Sequence, residues 1–195
     1  MLETAINTDA DAVGKVLRTA GSSTSAELNY VSSTAKTLSA PSAGYTVHIT
    51  QPATKASLLS RPGLDGTNAT PETLTFGGAL FGSTDYQLVI PPNSSLASVI
   101  AQINGDARLR DLVVASDDGG VLRLTSKKFG TPGDFTVKSD QDASSSNSGI
   151  GTDDPGVRYA AAKNVAGTIN GEAATGSGQF LTGNAGNPTT DGLQI

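Results

Sequence analysis

His48 is the only histidine in the chain, and it stands in the alternating run GYTVHIT, Gly44–Thr50. A histidine can move protons near neutral pH or ligate a metal, but no carboxylate or second ligand lies at metal-like spacing from it. Thr46 and Thr50 share its side of the run, so it reads as a solvated strand residue. Asn7-x-Asp9-x-Asp11 has the spacing that opens a calcium loop. Such a loop needs glycine at its sixth place and glutamate at its twelfth, where Ala12 and Arg18 stand. The same residues suit a helix start, whose dipole favours carboxylates. Two carboxylate pairs, Asp117-Asp118 and Asp153-Asp154, lie in glycine-bearing turns. General acid–base work needs a carboxyl whose pKa is raised by burial, and turns offer mostly water. The second pair could hold an adventitious calcium ion. Gly176-Ser177-Gly178 lacks the third glycine and the strand–helix setting of a dinucleotide fingerprint. No G-x-S-x-G elbow accompanies the many serines. Lys127-Lys128 beside Phe129 could meet an acidic surface, although a charge pair at a hairpin end is ordinarily solvent decoration. No catalytic, cofactor-binding or metal-ligating residue is assigned, and no cofactor or enzymatic activity is expected.

The elements that would carry these residues are legible in their periodicity. Leu96, Val99, Ile100 and Ile103 fall at helical spacing after Pro91-Pro92 ends the strand YQLVI. Asn93, Ser94 or Ser95 can cap that helix, and Asn104-Gly105 closes it. Two branched aliphatic runs then flank Asp117-Asp118-Gly119-Gly120, a hairpin signal. Upstream, Leu2–Ala20 reads as a short helix stopped by Gly21, and Ser22–Ser25 as a linker. In Gly44–Thr50, Tyr45, Val47 and Ile49 face one way and the polar residues the other. Pro62–Pro71 reads as a loop crossing between domains. Ser139–Gly156 reads as too polar to bury and mobile. Further strands are expected at Asn164–Ile169, Ala173–Leu181 and Leu193–Ile195.

The expected fold is therefore mainly β with minor α: two small antiparallel β-sheet or sandwich-like domains. The second holds one short helix packed on its sheet and is inserted into the first. The expected boundaries are a short helix and linker over 1–25, a discontinuous β domain over 26–65 plus 151–195, and an inserted β domain over 66–150.

Composition narrows the function classes. The 195 residues carry a net charge of −5, with 5% aromatics and no tryptophan, so any core is built from Val, Ile, Leu and Ala. The thirteen basic residues are scattered, which argues against nucleic acid, since phosphate contacts need clustered cations. Cysteine is absent, which excludes disulfide scaffolds and thiol chemistry. The first residues show no basic end and apolar core of a signal peptide, and no apolar run approaches the roughly 18 residues of a membrane span. No membrane insertion is expected. The strand-like stop at Ile195 suggests an excised piece.

The central unit resembles a known family. SLASVIAQINGDARL followed by VVASDDGGVLRLTSKKFGTPGDFTV is similar to the "IN" motif of flagellar hook and filament-cap proteins. Ile103-Asn104, Ala115-Ser116, Leu122, Leu124, Ser126, Gly130 and Gly133 occupy its places. Three flanking segments, LETAINTDADAVGKVL, GYTVHITQPATKASLL and NVAGTINGEAATGSGQFLTGN with a final DGLQI, resemble stretches of the flagellar filament-capping proteins, the hook-associated protein 2 or FliD family. Leu2–Leu17 resembles their C-terminal half yet precedes the domains here, as it would if the parent carried an additional inserted copy of the domain pair. The resemblance implies a structural role: capping the filament tip and promoting insertion and polymerisation of exported flagellin. It implies self-association in a cap ring and flagellin as partner. It also implies export by the flagellar secretion system to an extracellular place at the distal tip. Hook-associated junction proteins and a host surface are further possible partners. The alternatives are a surface adhesin or glycan-binding module, which needs an aromatic patch, and a related hook-associated structural protein.

Overall fold

Short apolar runs broken by glycine turns produce a succession of strands, with a single α-helix among the described residues. A computed structural model describes residues 21–152 and 158–195. The helix expected over Leu2–Ala20, the Asn7-x-Asp9-x-Asp11 stretch and Asp153-Asp154 lie outside the described residues. In chain order the strands are β1 (Val47–Gln51), β2 (Lys55–Leu59), β3 (Glu72–Gly77), β4 (Tyr86–Ile90), β5 (Val113–Asp117), β6 (Leu122–Phe129), β7 (Thr136–Ser139), β8 (Arg158–Ala160), β9 (Ala166–Ile169), β10 (Glu172–Ser177) and β11 (Phe180–Gly183). The helix α1 (Leu96–Gly105) lies between β4 and β5. All pairings are antiparallel, in three sheets ordered β1-β9-β10-β11, β5-β6-β2-β8 and β4-β3-β7. The described residues are thus mainly β, with a short helix where the periodicity after Pro91-Pro92 predicts it.

The chain divides into two units, Met1–Pro52 with Val165–Ile195, and Ala53–Asn164. In the inserted unit the two sheets and α1 enclose one apolar core. Leu74 and Phe76 of β3, Val99 and Ile103 of α1, Val113 of β5 and Leu124 of β6 are all fully buried. Phe76 and Phe81 sit with ring centroids 5.8 Å apart. α1 starts where expected: Ser98 N donates to Ser95 Oγ at 3.3 Å, and its apolar stripe faces the core, with Leu96 and Ile100 at the margin. The Asp117–Gly120 turn makes the β5–β6 hairpin, with Gly119 and Gly120 at φ 68° and 89°.

The inserted unit is larger at both ends than the boundaries at 65/66 and 150/151 expected from composition. β2 pairs with β6 and β8 inside it, so the two polar loops expected to bracket it are part of its body. The loop over Pro62–Pro71 does not cross between domains; its first half lies along the Ser-rich segment. Leu64 N donates to Asn147 O, Arg61 N to Gly149 O and Asp65 N to Ser145 O, at 2.7–3.3 Å. Glycine on each side permits this approach. A Cβ at Gly63 would stand 2.4 Å from Asn147 O, and one at Gly149 2.3 Å from Arg61 O. Nor is the Ser139–Gly156 segment too polar to bury: Asn147, Ser148 and Ile150 are 3%, 0% and 1% exposed. Polar residues can be buried when hydrogen-bonded, and here the carboxyl of Glu72, itself 1% exposed, supplies the partner. It accepts from Ser148 N at 2.9 Å, Ser148 Oγ at 2.6 Å and Ser139 Oγ at 2.7 Å.

The outer unit is a single meander. In β1, Val47 and Ile49 are half-buried while His48 and Thr50 are exposed. Beyond β11 the expected terminal strand is present as an added ribbon. Ile195 N donates to Leu181 O and Leu181 N to Ile195 O, at 3.0 and 2.9 Å, and Gln194 N donates to Ser32 O on its other side.

Two outcomes follow from this arrangement. Glu72→Ala removes both acceptors from buried donors and should lower unfolding free energy by about 2–4 kcal/mol, read from urea denaturation. Gln51 and Ala166 are cross-strand partners, so the chain leaves and re-enters the outer unit at one point. Replacing Ala53–Asn164 with Asn-Gly should leave that unit folded; collapse of its dispersed amide NMR spectrum would show that it depends on the insert.

Candidate interaction surfaces

The residues whose types could do chemistry are dispersed. His48 is exposed on β1, opposite Thr168 of β9. Asp117 Oδ1 accepts from Gly120 N at 2.6 Å, closing its own turn, and Asp118 pairs with Arg123. Lys127 Nζ donates to Arg110 O, and Lys128 is exposed. Lys55 Nζ lies 4.8 Å from the Phe129 ring centroid, a cation–π contact at the open end of β6. Gly176-Ser177-Gly178 forms the end of β10 and its turn into β11. A Cβ at Gly176 would stand 1.6 Å from Val165 O, so this glycine serves backbone packing. Among the described residues no group of three or more His, Cys, Asp or Glu is placed to hold a metal. The structure brings none of these candidates together.

Side chains that periodicity does not single out organise two corners instead. At the first, Tyr86 at the start of β4 donates its hydroxyl to Asp106 Oδ2 at 2.6 Å. Asp106 Oδ1 also accepts from Arg108 N and Leu109 N, both at 2.9 Å. Burial pushes the Asp106 carboxyl up, but the Tyr86 hydroxyl and these two amides pull it below the usual carboxylate range. The same bond, with burial, raises the Tyr86 phenol. Arg108 reaches back over Phe81 and Tyr86, 5.9 and 5.3 Å from their centroids. It donates to Thr84 O at 3.0 Å and Phe81 O at 3.4 Å. An open depression of about 550 Å³ lies here, lined by Leu80, Phe81, Ala107, Arg108, Asp111 and Leu112. Its guanidinium is already held by carbonyls, so the corner fixes the 78–85 loop.

At the second corner Glu172, the first residue of β10, holds the loop before the chain end. Its two oxygens accept from Thr189 N and Oγ1 and from Thr190 N and Oγ1, at 2.6–3.3 Å. Burial raises this carboxyl, and the four donors outweigh it, leaving the pKa below the ordinary value. Asp191 extends the corner, accepting from Gly186 N at 2.7 Å.

What remains for recognition is surface. The outward faces of the two sheets of the inserted unit carry Thr73, Thr75, Gln87, Thr125, Ser57 and Arg123 with single apolar residues. Val89 and Val114 are 54% and 41% exposed, and Phe180 on the outer unit is 50% exposed. Such faces can pack against another protein surface; they present no converging reactive groups.

No family model matches the chain, and no curated protein matches it. Solved structures do. The fold is similar to a crystal structure of FliD (HAP2) from Pseudomonas aeruginosa PAO1, with TM-score 0.52 and 23% identity over 77% of this chain and 71% of the other. It is equally similar to the D2-D3 domains of the flagellar cap protein FliD from Escherichia coli. There the TM-score is 0.52 and the identity 23%, over 77% of this chain and 85% of that one. The chain therefore has the fold of FliD outer domains.

The Glu172 corner generates a pH outcome. A carboxyl held below its unfolded pKa adds stability above the unfolded value and loses it as pH falls through the folded value. Protection of the Thr189 and Thr190 amides should thus decline in acid, below the ordinary glutamate range, and Glu172→Gln should flatten that dependence. Identical profiles for the two proteins, measured by hydrogen exchange, would refute the assignment.

Proposed function

We propose that this chain is the outer, β-rich part of a filament-capping protein of the bacterial flagellum. The observation that carries the proposal is the fold shared with FliD outer domains from two bacteria. It is joined by the resemblance of the IN-type unit and of the segments on both sides of it, Gly44–Leu59 and Asn164–Asn184, to stretches of that family. Under this reading the parent assembles with copies of itself at the distal end of the filament, outside the cell. Flagellin leaving the export channel is inserted and polymerised beneath it. The parts that grip the filament lie elsewhere in the parent, and the two units here form the lid and pack laterally. Their physical character suits that role: Ser/Thr-bearing sheet faces and polar loops tied down by Glu72 and Glu172. A glycan-binding role would call for a platform of exposed rings, and the most exposed aromatics, Tyr159 and Phe180, belong to different units.

Deleting the parent gene in its host should leave hooks with stunted or missing filaments and soluble flagellin in the medium. Electron microscopy and immunoblotting read both. Normal filaments with lost surface attachment would sink the capping role and put adhesion in its place.

A further inference from the structure

Asn104 is exposed at the end of α1, yet both ends of its carboxamide are used on a single residue. Nδ2 donates to Ala115 O and Oδ1 accepts from Ala115 N, each at 2.9 Å. β5 is the outer strand of its sheet. Its bonds to β6 run through alternate residues: Leu112 O accepts from Lys127 N, and Asp118 N donates to Val121 O. The register carries that alternation through Val114↔Thr125 and Ser116↔Arg123. The backbone N–H and C=O of Val113, Ala115 and Asp117 therefore face away from β6, along the open edge. Asn104 meets the middle residue of that row with the two-point pattern a neighbouring strand would use. The same helix treats the other sheet alike, since Gln102 Nε2 donates to Val89 O on the outer strand β4 at 2.7 Å.

We infer that Asn104 closes the β5 edge by standing in for a strand residue, and so keeps β5 of a second copy from pairing there. The edge needs such a device. It is a five-residue strand with an exposed Val114, and open apolar edges template strand addition. It is also self-complementary. In an antiparallel pair centred on Ala115, Val113 of one copy stands opposite Asp117 of the other, so no like charges oppose each other. This role is independent of the capping proposal, because it concerns which strand edge of the folded unit is open to pairing.

The wild-type protein supplies the first test. By native-state hydrogen exchange, the Ala115 amide should be protected at least about tenfold more than that of Asp117, on the same outward row. Equal exchange would overturn the inference whatever any variant does. Asn104→Asp supplies the second. One oxygen still accepts from Ala115 N, but the other now faces Ala115 O, where an ionised carboxylate is repelled and a protonated one restores the donor. The folded state thus holds this carboxyl above its unfolded value. The defect is complete above the folded value and vanishes below the unfolded one. At neutral pH, Ala115 protection should fall roughly tenfold while the Leu124 amide in β6 keeps its own. Sedimentation equilibrium should then show a concentration-dependent dimer, and both effects should fade in acid. Protection lost equally across α1 and β6, with the protein monomeric at every pH, would assign Asn104 to helix stability and overturn its role at the edge.

Discussion

A carboxyl on the first residue of a strand gathers the hydroxyls and amides of a distant polar loop, once in each unit, and both units depend on it. Glu72 at the head of β3 takes three donors from Ser139 and Ser148, and Glu172 at the head of β10 takes its donors from Thr189 and Thr190. Glu72 satisfies groups that would otherwise face a nearly dry interior, where an unpaired polar group costs roughly 1–3 kcal/mol, whereas Glu172 itself is half-exposed. The clamp in the inserted unit has the larger consequence. It lets a Ser-rich segment cover the core beside Ile150 and lie against the backbone of Arg61–Asp65.

This arrangement compensates for a small apolar inventory. Without tryptophan or disulfides, the inserted unit relies on Phe76, Phe81 and Phe135 among aliphatics, and backbone bonds close its margins. The outer strands receive the same treatment. Side chains of α1 bond to β4 and β5, and the 193–195 ribbon covers β11. A sheet edge left open is a hazard for strand addition, and here the covering pieces are local and short.

Ionisable side chains are likewise committed to the fold. Tyr86, Asp106, Tyr159 and Glu172 all have shifted pKa values, which in a cleft would mark a site. Here each shift follows from burial and hydrogen bonds that join one element to another. The likeness to FliD structures, at 23% identity, speaks for the fold. The functional reading proposed for it joins that fold to the exposed Val89, Val114 and Phe180 and the hydroxyl-bearing sheet faces.

Local rules placed α1, a cap among Asn93, Ser94 and Ser95, the Asp117–Gly120 hairpin and the two faces of β1, because apolar period, capping residues and glycine turns act within a few residues of themselves. The IN-type segment was likewise legible as a unit, though the bonding of Asn104 to Ala115 was not, since eleven residues of chain separate them. Composition failed where burial depends on partners far along the chain. Pro62–Pro71 reads as a crossing loop and Ser139–Gly156 as mobile because they are polar, and the burial of the second turned on Glu72, seventy-six residues before Ser148. The amino-acid sequence by itself determined that this is a β-rich chain of short strands with an amphipathic helix after Pro91-Pro92 and scattered ionisable groups. The tertiary structure alone decided which polar residues are interior, where the inserted unit begins and ends, and which strand edges are closed. A hydrogen bond between remote residues leaves no periodic trace in the segments that make it.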